Sequence, residues 1–192
     1  SQMKSLGIYT KKTTDWCSTP LQKNAQNNSM CLGEGASVFA MEKDNGQKRL
    51  AKIIGVGYAT EKVNHPTSIS DNGESMQKSM KMAIKDLEPK SIDAIVVHAP
   101  GTIKGDNSEL MAIKEMFKDK TPHLISTKFQ TGHTLGASGG LSLDLAIEMI
   151  HRNELISFPY DSNNGTKPSQ VNTVLINAIG FGGNAVSLVI TK

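Results

Sequence analysis

Two histidines, a lysine and a phenylalanine stand in or beside glycine-rich turns of this sequence: His98-Ala99-Pro100-Gly101-Thr102, Ser126-Thr127-Lys128 followed by Gly132-His133-Thr134, and Gly180-Phe181-Gly182-Gly183. Glycine suits such turns because, without a Cβ, it reaches positive φ freely and lets a ligand approach the backbone. Two imidazoles aimed at one carbonyl oxygen can stabilise negative charge as it develops there. What the set lacks is a nucleophile, since no cysteine or serine sits in an evident nucleophile turn. Each residue also has a purely structural reading. A single buried histidine is more often a hydrogen-bonded core residue than a catalyst. Phe181 could plug a core, and Asp106-x-x-Glu109 has the spacing of a helix-capping pair. His65, His123 and His151 fit no motif and are read as surface or loop residues. A zinc site built from His98, His123 and His133 lacks ligand spacing on one element, so no metal is expected.

The elements that must position these residues follow from hydrophobic spacing. Residues 1–30 show little periodicity and read as an irregular segment wrapped over something larger. Residues 37–41 (Ser-Val-Phe-Ala-Met) and 50–59 are apolar runs separated by Asn45-Gly46, a hairpin signal that predicts an antiparallel pair. Residues 74–87 place Met76, Met80, Ala83, Ile84 and Leu87 on one helical face, with Pro89 beyond. A buried strand over 92–98 ends at His98. A second helix opens at Asp106 and a third strand ends at Ser126, while 136–152 form a third helix with small residues in its first turns. Two closing strands, 171–177 and 185–191, flank the Phe181 turn. The expected class is α/β, a mixed sheet flanked by helices. Chemistry in such sheets gathers at the carboxyl ends of strands, the rim that His98, Lys128, His133 and Phe181 would share.

Bulk properties exclude several functions. With 21 Lys+Arg against 18 Asp+Glu, a net charge of +3 is too small and scattered for a nucleic-acid groove. No apolar run approaches a membrane span, and no signal-peptide pattern opens the chain. Two cysteines, Cys17 and Cys31, fit a reducing compartment better than a disulfide scaffold, so the expected setting is cytoplasmic.

Four motifs in order resemble the carboxy-terminal half of a β-ketoacyl-(acyl carrier protein) synthase, a condensing enzyme of the thiolase fold. They are Gly33-Glu34-Gly35-Ala36; His98-x-x-Gly101-Thr102 with Asp106 and Glu109; Ser126-Thr127-Lys128-x-x-Thr131-Gly132-His133 with Gly136-Ala137-Ser138-Gly139; and Gly180-Phe181-Gly182-Gly183. The resemblance implies a five-layered αβαβα architecture. Residues 1–62 would be the tail of the first half with its closing hairpin, and 63–192 the second half. The family's catalytic cysteine lies in the first half, and neither Cys17 nor Cys31 has its context. The chain therefore reads as a piece lacking the nucleophile.

The same resemblance assigns roles. His98 and His133 match the two histidines that hold the enolate formed when malonyl-carrier loses CO₂. Lys128 matches a lysine expected to pair with Glu109 and steady the His98 loop, a reading that competes with helix capping for Glu109. Phe181 matches the gate of the acyl site, its backbone N–H contributing to an oxyanion hole, and Gly182 belongs to the same substrate turn. Thr102 matches a hydroxyl that contacts the pantetheine arm. Ala99 and Pro100 depart from the usual His-Gly-Thr, and Pro100, with neither hydroxyl nor N–H, should forgo one such contact. No cofactor is implied beyond the phosphopantetheine that carries the substrates on acyl carrier protein. The implied partners are that carrier, the first half of the same enzyme and a second copy in a homodimer. The expected function is 3-oxoacyl synthesis in fatty-acid or polyketide assembly. The alternative is a non-catalytic partner subunit of the chain-length-factor kind, which would have no reason to keep His98, Lys128 and His133. A thiolase would need a second cysteine late in the chain, and none follows Cys31.

Overall fold

Short apolar runs alternating with amphipathic segments should form an open sheet with helices packed on it. The computed structural model has this arrangement across residues 7–10, 16, 18–65, 67–118 and 120–192, the residues it describes. In chain order they are β1 (Lys52–Thr60), α1 (Glu74–Ala83), β2 (Ala94–Val96), α2 (Ile103–Phe117) and β3 (His123–Ile125), then α3 (Lys128–Thr131), α4 (Ser138–Arg152), β4 (Thr173–Gly180) and β5 (Asn184–Thr191). The sheet runs β1-β5-β4-β2-β3. β2 is parallel to both β3 and β4, whereas β5 is antiparallel to β4 and β1. The sheet is mixed, as expected for an α/β fold.

Helices cover both faces. Gly57, Ser187 and Asn177 lie in one register row and meet α1 and α2, and the next row, Ala178, faces Gly139 of α4. α1 seats closely on β1 because Gly55 and Gly57 offer no side chain. A Cβ at these positions would lie 2.0 Å from Ala83 O and 1.9 Å from Ser79 O. β2 and β3, sandwiched between helix layers, consist wholly of buried residues, as parallel strands do. Met76 and Met80 of α1 are buried in the core, as the helical spacing predicts. No helix among the described residues is long and apolar enough to cross a membrane.

Several expectations are corrected. Residues 37–41 form no strand, and the hairpin with 50–59 is not made. Gly46 takes positive φ (74°) in a bend, but β1 pairs with β5 along its length. A turn brings two runs near each other, and the better-paired ladder decides the partner. Val38 and Met41 are left 97% and 75% exposed. α2 begins at Ile103, not Asp106. Its cap is Thr102, whose Oγ1 accepts from Gly105 N at 3.3 Å, so Asp106 and Glu109 are not a capping pair. His65 and His151 are exposed as expected, but His123 is buried at the start of β3, its Nε2 2.8 Å from Ile156 O. Cys31 is disulfide-bonded, against the expectation of reduced thiols; Cys17 lies outside the described residues.

Candidate active site

Because β2, β3 and β4 run parallel, their carboxyl ends open on one rim. His98 lies two residues past β2, Lys128 three past β3, and Phe181 directly past β4. The rim brings the two histidines together: their ring centroids are 5.2 Å apart, with planes at 76°.

Both rings are held by the same device. His98 Nδ1 accepts from Ile179 N at 3.3 Å, and His133 Nδ1 accepts from Leu135 N at 3.1 Å, with Ser138 Oγ also 3.1 Å away. A neutral imidazole that accepts at Nδ1 must carry its proton on Nε2. Both rings stay neutral around pH 7. Burial, then the neighbouring Lys128 and the second imidazole of His133, hold His98 well below the usual imidazole range. Burial and Lys128 bring His133 down to about 4. The result is two neighbouring Nε2–H donors with no partner among the described residues.

The backbone beneath them is held differently on the two sides. Glu109 Oε1 accepts from His98 N at 3.0 Å and Oε2 from Ala99 N at 2.7 Å. Asp106 accepts from Gly101 N at 3.0 Å and, from the irregular segment, from Leu21 N at 2.8 Å. Every backbone N–H that residues 98–101 possess is thus taken by a carboxylate of α2. Pro100, which has none, sits where none is needed. His133 is held by backbone pairing: His133 N donates to Cys31 O at 2.7 Å, and Gly33 N donates to His133 O at 3.1 Å. That approach requires glycine, since a Cβ at Gly33 would lie 1.7 Å from Thr131 O.

Lys128 is 1% exposed but makes no ion pair within 4.0 Å among the described residues. The expected direct contact with Glu109 is replaced by interaction at longer range, because backbone amides already occupy that carboxylate. Burial brings Lys128 down to about 8 against the pull of Glu109 and Asp106. Burial likewise raises Glu109 and pushes Asp106 up to about 7. The trio is a buried charge cluster beneath the histidines.

Phe181 is 58% exposed at the tip of a turn in which Gly182 and Gly183 have φ of 84° and 76°, so it plugs no core. Asn184 Nδ2 donates to Phe181 O at 3.0 Å, and Thr60 Oγ1 donates to Asn184 Oδ1 at 2.9 Å, bracing the turn. Leu32 and Leu135, flanking His133, are 51% and 52% exposed, so the rim is apolar and open. Two cavities, of about 170 and 650 Å³, lie beside residues 19–29 and away from the histidines. Their position marks where the irregular segment bridges α2. No group of three His, Cys, Asp or Glu side chains among the described residues is arranged to hold a metal ion. Sequence reasoning missed Asn177, which donates to Glu109 at 3.0 Å. Its only signal was a polar residue inside an apolar strand.

Residues 50–158 match the family model of the β-ketoacyl synthase C-terminal domain. The chain is 33% identical over 174 residues to 3-oxoacyl-(acyl-carrier-protein) synthase 1 of Haemophilus influenzae, covering 83% of this chain and 42% of that protein. It is 31% identical over 180 residues to synthase 2 of Staphylococcus aureus, covering 84% and 44%. This chain therefore spans under half the length of these relatives. Among solved structures, the ishigamide ketosynthase/chain length factor superposes with a TM-score of 0.81 at 24% identity, covering all of this chain and 50% of that one. With the family model matched over residues 50–158 and relatives more than 30% identical over most of the chain, this chain belongs to the β-ketoacyl synthases as their C-terminal domain.

Proposed function

We propose that this chain supplies the enolate-stabilising half of a 3-oxoacyl-(acyl carrier protein) synthase. The observation that carries the reading is the pair of neutral Nε2–H groups, each fixed by a backbone N–H at Nδ1. A malonyl thioester whose carbonyl oxygen sits between them can release CO₂, the electrons of the broken C–C bond moving onto that oxygen as an enolate. Preorganised donors of this kind are each worth on the order of a hundredfold in rate. The enolate carbon then attacks an acyl-cysteine thioester, a C–C bond forms and the thiolate leaves. Disulfide-bonded Cys31 is not that thiol, so the nucleophile comes from an N-terminal half. In this reading Phe181 and Gly182 form the gate of the acyl site, Thr102 faces the pantetheine arm, and Lys128 with Glu109 sets the field and backbone under His98. Acyl carrier protein is the partner that delivers the substrates, no further cofactor is required, and the complete protein is a dimer.

The second reading is a partner subunit that shapes a true synthase's tunnel, favoured by the likeness to a structure titled ketosynthase/chain length factor. Two correctly protonated imidazoles have no task in such a subunit. In the complete protein, His133→Ala should abolish release of labelled CO₂ from malonyl-carrier while cysteine acylation continues. Undiminished CO₂ release would refute the catalytic reading. Wild-type protein that neither decarboxylates nor acylates would support the partner subunit.

A further inference from the structure

Glu109 has a third ligand besides the two backbone amides, and that ligand heads a chain of buried hydrogen bonds crossing the sheet. Asn177 of β4 donates from Nδ2 to Glu109 Oε1 at 3.0 Å. Ser187 of β5 donates from Oγ to Asn177 Oδ1 at 2.8 Å, and Ser79 of α1 lies 2.8 Å from Ser187 Oγ. Every member is at most 2% exposed.

We propose that Asn177 is a positioning residue for the catalytic imidazole of His98, acting by fixing the orientation of the Glu109 carboxylate and keeping it ionised.

The direction of the chain follows from proton counting. A carboxylate only accepts, so the Asn177 amide must turn its NH₂ towards Glu109. The carbonyl then faces Ser187, which spends its single proton there. Ser79 therefore supplies the proton in the contact between the two hydroxyls, sharing that single proton with Met76 O at 3.1 Å. The remaining NH of Asn177 faces Met80 Sδ at 3.5 Å. A flipped amide would set Oδ1 against a carboxylate oxygen, acceptor against acceptor, so one orientation is enforced.

The consequence reaches the histidine through one atom. Oε1 accepts from both Asn177 and His98 N. Hydrogen bonds given to a carboxylate favour its charged form, and burial favours the neutral one. A protonated Glu109 would turn one oxygen into a donor, strand a backbone N–H of the His98 turn and deprive Lys128 of a counter-charge. The ionisable groups around Glu109 are Asp106 on its own helix, Lys128 on α3 and His98 on the turn, with His133 beyond. Among the described residues, α1, β4 and β5 contribute the neutral Ser79, Asn177 and Ser187 to this chain, and Asn177 is the neutral side chain whose hydrogen bond biases Glu109 towards its charge.

The test uses the complete protein with Asn177→Ala and, as a milder variant that keeps the amide, Ser187→Ala. Glu109 is followed by ¹³C NMR titration of its side-chain carboxyl. The Glu109 midpoint should rise in Asn177→Ala and rise less in Ser187→Ala. The rate of malonyl decarboxylation near pH 7 should fall about tenfold in Asn177→Ala, the loss of one hydrogen bond to a charged group, with its acid limb moved upward and cysteine acylation unchanged. An unmoved Glu109 midpoint in the soluble variants, or in Ser187→Ala where it alone is soluble, overturns the proposal. So does a uniform rate loss without a shifted pH profile, which a merely structural residue would give. The rate arm rests on the proposed function. The titration arm needs no turnover, so an inactive wild type refutes that function and leaves Asn177 to be judged by Glu109 alone.

Discussion

The two histidine loops reach the same chemical end by different means. The His98 turn is gripped by charged side chains: two carboxylates on the first turns of α2 take all three of its backbone N–H groups. The His133 loop is gripped by main chain, through pairing with residues 31–33 across a glycine. One device is buried and depends on an ionisation state. The other is half-exposed and depends on steric room. Fixing the tautomer of an imidazole needs only an acceptor role at Nδ1, and a fold can secure that role by electrostatics or by backbone packing.

The contrast breaks most sharply at Glu109. Glu109→Ala removes acceptors from His98 N, Ala99 N and the Asn177 amide, and it leaves Lys128 buried without the carboxylate that pulls on it most strongly. Removing one member of a buried charge set typically costs on the order of 3–5 kcal/mol. A denaturant midpoint should fall by that equivalent, and Lys128 should be held still further below the usual lysine range. A loss under about 1 kcal/mol would mean that the His98 turn holds its shape without carboxylates, contrary to the charged-grip account.

Gly33→Ala strikes the other loop. Its Cβ would lie 1.7 Å from a backbone oxygen, so the chain must move, and it cannot move without stretching the pairing to His133. Overpacking of this kind costs about 1–3 kcal/mol. The expected signature is a smaller stability loss than in Glu109→Ala, with imidazole resonances of His133 shifted and those of His98 nearly still. Equal shifts in both rings would show that the two grips are coupled.

Much of this arrangement is legible in the residues. Strand and helix types follow from spacing, and the rim follows from the placement of His98, Lys128 and Phe181 just after apolar runs. The motifs place the two imidazoles as neighbours. What the sequence could not disclose was partnership. Asn45-Gly46 specifies a turn but not which strand the next run will join, and β5 took it. Asp106 and Glu109 have capping spacing, yet Thr102, four residues before Asp106, supplied the cap and released both carboxylates to the turn. Lys128 and Glu109 have opposite charge, but hydrogen-bond demand from nearby amides outcompeted a direct ion pair. Asn177 is one polar letter in an apolar strand, and its meaning depends on Glu109, 68 residues away.

The smallest expected effect is at Ser138. Its Oγ lies 3.1 Å from His133 Nδ1, equal to the distance of Leu135 N from the same atom, and 3.1 Å from Thr134 Oγ1. A neutral imidazole has one lone pair at Nδ1, so the two donors share it, and the backbone one cannot be deleted by a side-chain change. Ser138→Ala should therefore keep the proton on Nε2 and cost under about 1 kcal/mol. The ring's titration discriminates. An unburied histidine charges near 6.5, whereas His133 is held down to about 4 by burial and Lys128. The unfolded chain thus takes up this proton first as pH falls. Stability contributed by the neutral ring is full above about 6.5 and drains away as pH drops towards 4. In ¹⁵N spectra of the wild type, His133 should show the Nε2–H tautomer from pH 7 down to about 5, and Ser138→Ala should reproduce that curve within a few tenths of a unit. If the variant instead titrates near 6.5 or moves its proton to Nδ1, the hydroxyl and not the main chain holds the ring, and the His133 loop joins the His98 turn in being gripped by side chains.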